Sequence, residues 1–213
     1  MTTILIVDDH PAMRLVMKTQ LSQMIGVTDI VEADNGQVAV ELARQRMPDL
    51  AILDLDIPRI NGLDVIPRLK LAHPAIRVLV LSGHDPVTFG QRAMRAGAQG
   101  FVGKSQEIKE ILRSVEAVLA GYSVFPMTVS GGSSGLGAPG ASEEDRLKLL
   151  SDKELVILQM LAKGLSNKAI GESLFISNKT VSSHKARIML KLGVKSLVEL
   201  IDCARRCRIS STQ

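Results

Sequence analysis

The chain lacks tryptophan altogether, and its one tyrosine and four phenylalanines bring aromatics to only 2% of 213 residues. Its cores must therefore be aliphatic, drawn from the Leu, Ile, Val, Ala and Met of a 46% hydrophobic composition. Cysteine is nearly absent too. Two residues, Cys203 and Cys207, exclude a disulfide scaffold, and no clustered His accompanies them to build a zinc site. Their i, i+4 spacing reads as two small apolar residues on one helix face, with a redox sensor as the alternative. Long apolar runs are missing as well, since none approaches the ~18 residues of a membrane span. The opening MTTILIVDDH reaches two aspartates before a signal-peptide apolar region could form. These absences predict a cytoplasmic protein with no membrane partner. The length is large for one core and suits two small domains.

The net charge of +4 conceals an asymmetry: residues 1–121 carry −1, residues 122–145 carry −3, and residues 146–213 carry +8. A polyanion partner is expected for the basic end alone, although such charges also serve merely to solvate a helical surface. Residues 130–141, SGGSSGLGAPGA, hold five Gly, three Ser and one Pro, the composition of a flexible linker. The expected organisation is a first domain over 1–121, a Gly/Ser-rich linker over 122–146, and a second domain over 147–213.

Short apolar runs punctuate the first 121 residues at 4–7, 30–31, 50–53, 78–81 and 101–102, and helical-period segments alternate with them. The first such segment, Pro11 to Met24, is expected to bury Leu15, Leu21 and Ile25. Runs that are apolar throughout suit strands covered on both faces, and parallel strands need crossover helices. The fold class predicted is α/β, a doubly wound five-stranded parallel sheet, followed by a small all-α domain. In such sheets the working site lies beyond the carboxyl ends of the strands. That rule selects Asp8, Asp9, Asp54, Ser82 and Lys104. Clustered carboxylates repel one another unless a cation neutralises them. Oxygen donors favour Mg2+, which keeps waters and leaves room for a phosphoryl group. A Lys pairs with phosphate oxygens, a hydroxyl donates to them, and a carboxylate nucleophile can form an acyl phosphate.

The stretches LIVDDHP (5–11), PDLAILDLDIPRINGLDVI (48–66), VLVLSG (78–83) and GAQGFVGK (97–104) resemble the receiver domain of two-component response regulators, a flavodoxin-like fold. The resemblance implies that Asp54 accepts the phosphoryl group. Asp9 would ligate Mg2+ directly, Asp8 would assist through water, and the backbone carbonyl of Asp56 would be a further ligand. Ser82 and Lys104 would contact the phosphoryl group, and Phe101 would be the aromatic that reports the switch. Gly83 departs from the commoner Ala. Asp56 and His84 stand where the lifetime of the phosphoryl group is tuned, and His84 is expected to face solvent as a tuner or bystander. Asp54-Leu-Asp56 also resembles the nucleophile pair of haloacid-dehalogenase-type phosphatases. That pair follows a first strand rather than a third, and the chain is therefore expected not to be an enzyme. A receiver that is vestigial or ligand-gated is the other alternative.

In the basic end, four helical segments are expected at about 151–162, 167–174, 178–192 and 196–206, with Ser151, Ser166 and Ser177 placed as N-caps. The stretch LLSDKELVILQMLAKGLSNKAIGESLFISNKTVSSHKARIMLKLGV (149–194) resembles the LuxR/NarL-type helix-turn-helix. Ile170, Leu174, Ile176, Val181, Ile188 and Leu192 have the spacing of its core. Recognition helices read base edges from their N-terminal turns while cations hold phosphates. Ser182, Ser183 and Ala186 are thus expected at the groove, Lys179, Lys185 and Arg187 on phosphates, and Thr180 in the first turn of the same helix. His184 falls on the family's His and would reach a phosphate or pack. The resemblance implies a homodimer through the last helix, with Leu197, Val198 and Ile201 at its surface. GYSVFP (121–126), FISNKTVS (175–182) and KSLVELI (195–201) are similar to the BvgA/EvgA subgroup. That likeness implies a sensor histidine kinase as partner, acting through a histidine phosphotransfer module.

Overall fold

The computed structural model describes residues 1–126, 143–207 and 209, in two units, Met1–Pro126 and Met127–Gln213. In the first unit the apolar runs form β1 (Thr2–Val7), β2 (Val27–Ala33), β3 (Leu50–Leu53), β4 (Arg77–Ser82) and β5 (Gly100–Gly103). Between and after them lie α1 (Pro11–Leu21), α2 (Gly36–Arg46), α3 (Gly62–Ala72), α4 (Pro86–Ala96) and α5 (Ile108–Leu119). All pairings are parallel, in the order β2-β1-β3-β4-β5. Side chains alternate across a strand, so each run serves two cores. Ile4, Ile6, Ile52, Leu79, Leu81 and Val102 pack with Met17 and Leu21 of α1 and with Ile111, Val115 and Val118 of α5. Their neighbours Leu5, Val7, Ala51, Leu53, Val78 and Val80 are equally buried, on the face where α2 meets β1 and α4 meets β5.

Two expectations about the first unit are corrected. Helix α1 stops at Leu21 and buries Met17 and Leu21, whereas Leu15 and Ile25 are exposed. Six residues separate Leu15 from Leu21, which puts them about 120° apart on a helix, so both cannot face one core. Strand β2 is longer than its two-residue apolar signal because it is an edge strand, only half covered, and mixes Thr, Asp and Glu into its sequence.

The linker expected over 122–146 also loses residues at both ends. Val124 continues the sheet, its N–H donating to Gln99 O at 2.9 Å and its carbonyl accepting from Phe101 N–H at 2.7 Å. Strand β5 is the sheet's other edge, and this pairing satisfies backbone groups that would otherwise stay open. At the far end, Glu143–Leu147 forms a short helix, α6. The Gly/Ser-rich centre, residues 127–142, lies outside the described residues.

The second unit continues with α7 (Asp152–Ala162), α8 (Asn167–Leu174), α9 (Asn178–Leu192) and α10 (Leu197–Arg206). Each begins at a serine, Ser151, Ser166, Ser177 or Ser196, whose side chain accepts the backbone N–H three residues on. Such caps satisfy donors that the first turn leaves free. Gly193 ends α9 in the left-handed conformation, as a helix stop does. Ile170, Val181, Ile188 and Leu192 are buried, while Leu174 and Ile176, expected beside them, are only half-buried. Among the described residues no helix is long and apolar enough to cross a membrane.

Candidate functional site

The sheet register brings the acidic residues together. Val7 pairs with Leu53, so the residues that follow, Asp8 and Asp54, emerge side by side, and Asp54 N–H donates to Val7 O at 2.8 Å. Ser82 pairs with Gly103, which sets Lys104 just beyond β5, its N–H donating to Ser82 O at 2.9 Å. Lys104 Nζ then reaches back to Asp54 Oδ2 at 2.7 Å and Asp8 Oδ2 at 2.6 Å. Both aspartates are buried, and Asp54 is only 1% exposed.

Burial pushes the Asp54 carboxyl above its ordinary value; Lys104 opposes this, while Asp56 and Asp8 add to it. Burial pulls the Lys104 ammonium down, but the charge and hydrogen bonds of Asp54 and Asp8 outweigh it and hold it above the usual lysine value. Asp54 Oδ1 is buried with no hydrogen-bond partner among the described residues. A buried carboxylate oxygen left without a donor is costly.

Oxygens of Asp8, Asp9 and Asp54, with a ring nitrogen of His10, lie within 4.8 Å of one another. The orphaned Asp54 oxygen and this oxygen-rich donor set fit a hard cation such as Mg2+. His10 was not expected from sequence. Its Nδ1 lies 2.7 Å from Asp9 Oδ1 and 3.3 Å from Asp8 Oδ1, and its N–H donates to Asp8 Oδ1 at 2.8 Å. The available signal was its place between the acid pair and Pro11, which starts α1.

Gly62 supports the floor of the pocket. A Cβ there would stand 2.4 Å from Leu55 Cα and 2.8 Å from Asp54 O, so only glycine lets α3 start this close to the loop that carries Asp54. Ser82 is fully buried, and its Oγ accepts from His84 N–H at 3.4 Å. Phe101 is buried at the edge of the sheet.

Contrary to the expectation of a solvent-facing ring, His84 is buried, at 2% exposed. Its ring stacks on Phe89, centroids 4.5 Å apart and planes 20° from parallel, and its Nε2 lies 3.1 Å from Asp56 Oδ1. The stacking partner stands five residues later in α4, beyond the reach of a strand-end rule. The loops after β3 and β4 are therefore joined directly across the mouth of the pocket.

In the second unit, α8, the turn Phe175-Ile176-Ser177 and α9 form the expected helix-turn-helix. Lys179, Ser182, Ser183, Ala186 and Arg187 are exposed on α9, and Thr180 and Lys185 are half-buried. Ser182 Oγ accepts from Asn167 Nδ2 at 3.1 Å and Ser183 Oγ donates to Lys179 O at 3.0 Å, so both hydroxyls are partly engaged. Thr180 Oγ1 lies 2.7 Å from Ser177 Oγ, within the cap. Burial pulls the His184 imidazole below its ordinary value, and Arg187 and Lys153 pull it further. A neutral, half-buried ring favours the packing role for His184 over an ionic phosphate contact.

Glu154 ties the unit together from α7. Its Oε2 accepts from Ser151 N–H at 2.8 Å and from Lys191 Nζ of α9 at 2.6 Å. Burial pushes this carboxyl up, but the bonds from Lys191 and Ser151 prevail and hold it below 4.5. A depressed folded value gives stability that is present above the unfolded value and lost as pH falls through the folded one. Glu154→Gln should therefore cost about 2 kcal/mol at pH 7, the scale of hydrogen bonds to charged groups. The gap to wild type should close on acidification below pH 4.5. Thermal melts of the second unit across pH 3–7 check both.

On α10, Leu197 is 41% and Val198 68% exposed, and Ile201 is half-buried, while Leu200 turns into the core. Among the described residues this apolar strip is left uncovered.

Comparison with known proteins gives matches to both units. Residues 4–116 match the family described as response regulator receiver domain, and residues 148–204 match bacterial regulatory proteins, luxR family. The chain is similar to a Pseudomonas aeruginosa protein named for transcriptional regulation, at 49% identity over 97% of this chain and 98% of the other. It is similar to the virulence-factor transcription regulator BvgA of Bordetella pertussis, at 43% identity over 95% and 96%. Among solved structures it resembles RcsB from Salmonella enterica serovar Typhimurium, bound to promoter P1flhDC in the presence of the phosphomimetic BeF3−. The TM-score is 0.67 and the identity 25%, over 95% of this chain and 97% of that one.

Proposed function

The chain belongs to the response regulators that join a receiver to a LuxR-type DNA-binding domain, and on that premise we propose that phosphorylation of Asp54 controls its DNA binding. It is a transcriptional regulator, of a family that binds DNA rather than catalysing turnover. The observation that carries the proposal is Asp54 itself: one carboxylate oxygen bound by Lys104, the other buried without a partner.

In the proposed transfer, Asp54 Oδ1 attacks the phosphorus of a phosphohistidine, the P–N bond breaks, and the imidazole leaves as an acyl phosphate forms. Lys104, already bridging two carboxylates, turns its ammonium to the phosphoryl oxygens. Ser82 gives up the His84 N–H and donates its own hydroxyl to the same group. The carboxylates of Asp8, Asp9 and Asp54 and the backbone carbonyl of Asp56 would hold Mg2+, which supplies positive charge against the phosphoryl oxygens. His10, hydrogen-bonded to both leading aspartates, orients them.

The donor is read as a sensor histidine kinase, as a receiver domain implies, acting through a histidine phosphotransfer module. The output is read as a homodimer on a two-fold related DNA site, its contact the exposed strip of Leu197, Val198 and Ile201. The domains are assigned as receiver, Gly/Ser-rich linker and helix-turn-helix, and the whole works in the cytoplasm. RcsB, bound to a promoter in its solved complex, supports the DNA-binding half.

Lys179, Lys185 and Arg187 are assigned to phosphates, whereas Ser182, Ser183 and Ala186 face the groove, with Thr180 in the first turn beside them. Small groove residues make few strong base contacts, so site shape and half-site spacing carry much of the specificity. Sites selected from random DNA provide the assay. Lys179→Ala should weaken binding to strong and weak sites alike and lower the salt slope by about 0.9, the value for one phosphate contact. An unchanged slope removes Lys179 from the interface.

A further inference from the structure

Outside the acidic pocket, a second cluster of ligating side chains lies in the DNA-binding unit and serves no step described above. Helix α6 supplies Glu143, α10 supplies Cys203, and the residue that caps α10 is Cys207. The carboxylate and both sulfurs lie within 4.8 Å of one another. Neither cysteine is in a disulfide, and their i, i+4 spacing stacks them on one side of the end of α10. Cys207 Sγ is 3.9 Å from Glu143 Oε2. Arg206 grips the same carboxylate twice, Nε to Oε2 at 3.0 Å and NH2 to Oε1 at 2.6 Å.

We propose that Glu143, Cys203 and Cys207 bind a thiophilic divalent cation, Zn2+ by its donor set, and thereby fasten the first helix of the DNA-binding unit to its last. Two thiolates exclude Mg2+ and Ca2+, which take oxygen ligands, and the carboxylate favours Zn2+ over Cu+. Tetrahedral Zn–S bonds of about 2.3 Å place donors ~3.5–4 Å apart, so the side chains close by ~1 Å at most. A fourth position is left for water. The charge also balances. Two thiolates and a carboxylate exceed a divalent ion by one negative charge, and the Arg206 guanidinium is already in place to neutralise it.

A redox sensor would need an exposed, acidic thiol. Burial instead pushes the Cys203 thiol up and Glu143 adds to the effect, so the metal-free thiol is neutral and a poor nucleophile. The dimer strip is unobstructed: Leu197, Val198 and Ile201 centre about 145° around the helix from the midpoint of the two cysteines. The site thus braces the helix that carries the strip without covering it.

The test uses the full-length reduced protein, freed of metal with a chelator, and Cd2+ as a spectroscopic probe. One equivalent of Cd2+ should give a saturable thiolate-to-metal absorption band, which Zn2+ displaces and Mg2+ does not. Zn2+ should raise the melting temperature of the second unit, as any ligand of the folded state does. Cys207→Ser and Glu143→Gln, both at partly exposed positions, should each lower Cd2+ affinity at least tenfold and abolish the Zn2+ shift. Absence of a saturable band, or equal affinity in both variants, overturns the proposal. The acidic pocket has no thiolate, so the band is independent of the reading of Asp54.

Discussion

Asp54→Asn should leave the receiver folded, raise its melting temperature at neutral pH, and abolish incorporation of phosphate from a small-molecule phosphodonor. Asparagine keeps the shape and an oxygen to accept from Lys104, but has no nucleophilic carboxylate. The stability gain follows from burial. The native Asp54 carboxyl is pushed above 3.8, chiefly by burial and further by Asp56 and Asp8, with Lys104 only partly compensating. A raised folded value means that stability present below the unfolded value is lost as pH rises through the folded one. Wild type should accordingly trail the variant at pH 7 and approach it as pH falls toward 4. Melts without Mg2+ and intact-mass measurement with phosphodonor and Mg2+ report the two effects. Phosphate on the variant would place the acceptor elsewhere.

Gly171→Ala should destabilise the DNA-binding domain while sparing the receiver. A Cβ at Gly171 would lie 2.7 Å from the carbonyl oxygen of Ile176 and 3.6 Å from Asn178 N, both backbone atoms of the turn into the recognition helix. That turn is closed by Ile176 N–H donating to Gly171 O at 2.9 Å, so it cannot withdraw without losing its own hydrogen bond. Overpacking against backbone costs about 2–4 kcal/mol. A domain of this size has a total stability of about 3–10 kcal/mol. Calorimetry should show the receiver transition unchanged and the second one lowered by more than 10 °C, with DNA binding reduced in proportion. A wild-type melt for Gly171→Ala would mean that the turn relaxes freely.

The parallel sheet was legible because every central strand is an unbroken apolar run, and the pocket because its residues sit at strand ends. Hydrogen bonding between Lys104 and both Asp8 and Asp54 gives those placements a common centre. What stayed hidden lies between residues that no local pattern pairs. Phe89 stacks on His84 from inside α4, and a tuner expected in solvent is instead buried. Lys191 reaches Glu154 across 37 positions, so the capping box could be read locally while its anchoring role could not. Val124 joins the edge of β5 from a stretch whose composition resembles the linker beyond it. Leu15 is exposed for a simpler reason: it lies about 120° around α1 from the buried Leu21, so the apolar residues of that segment do not form one stripe. The cysteines looked like packing residues because their third neighbour, Glu143, stands sixty positions before Cys203.

Coupling between the pocket and DNA is the central claim, and one titration addresses it. Labelled DNA carrying a selected site is titrated with wild type and with Asp54→Asn, each with and without phosphodonor and Mg2+, at fixed salt. A switch that moves from 1:99 to 99:1 requires ~5.5 kcal/mol of differential stabilisation, and a partial shift should still tighten binding tenfold or more. The expected result is that tightening in wild type alone, with Asp54→Asn held at the unphosphorylated affinity in both conditions. Equal affinities for both proteins with phosphodonor and Mg2+ would contradict phosphorylation control.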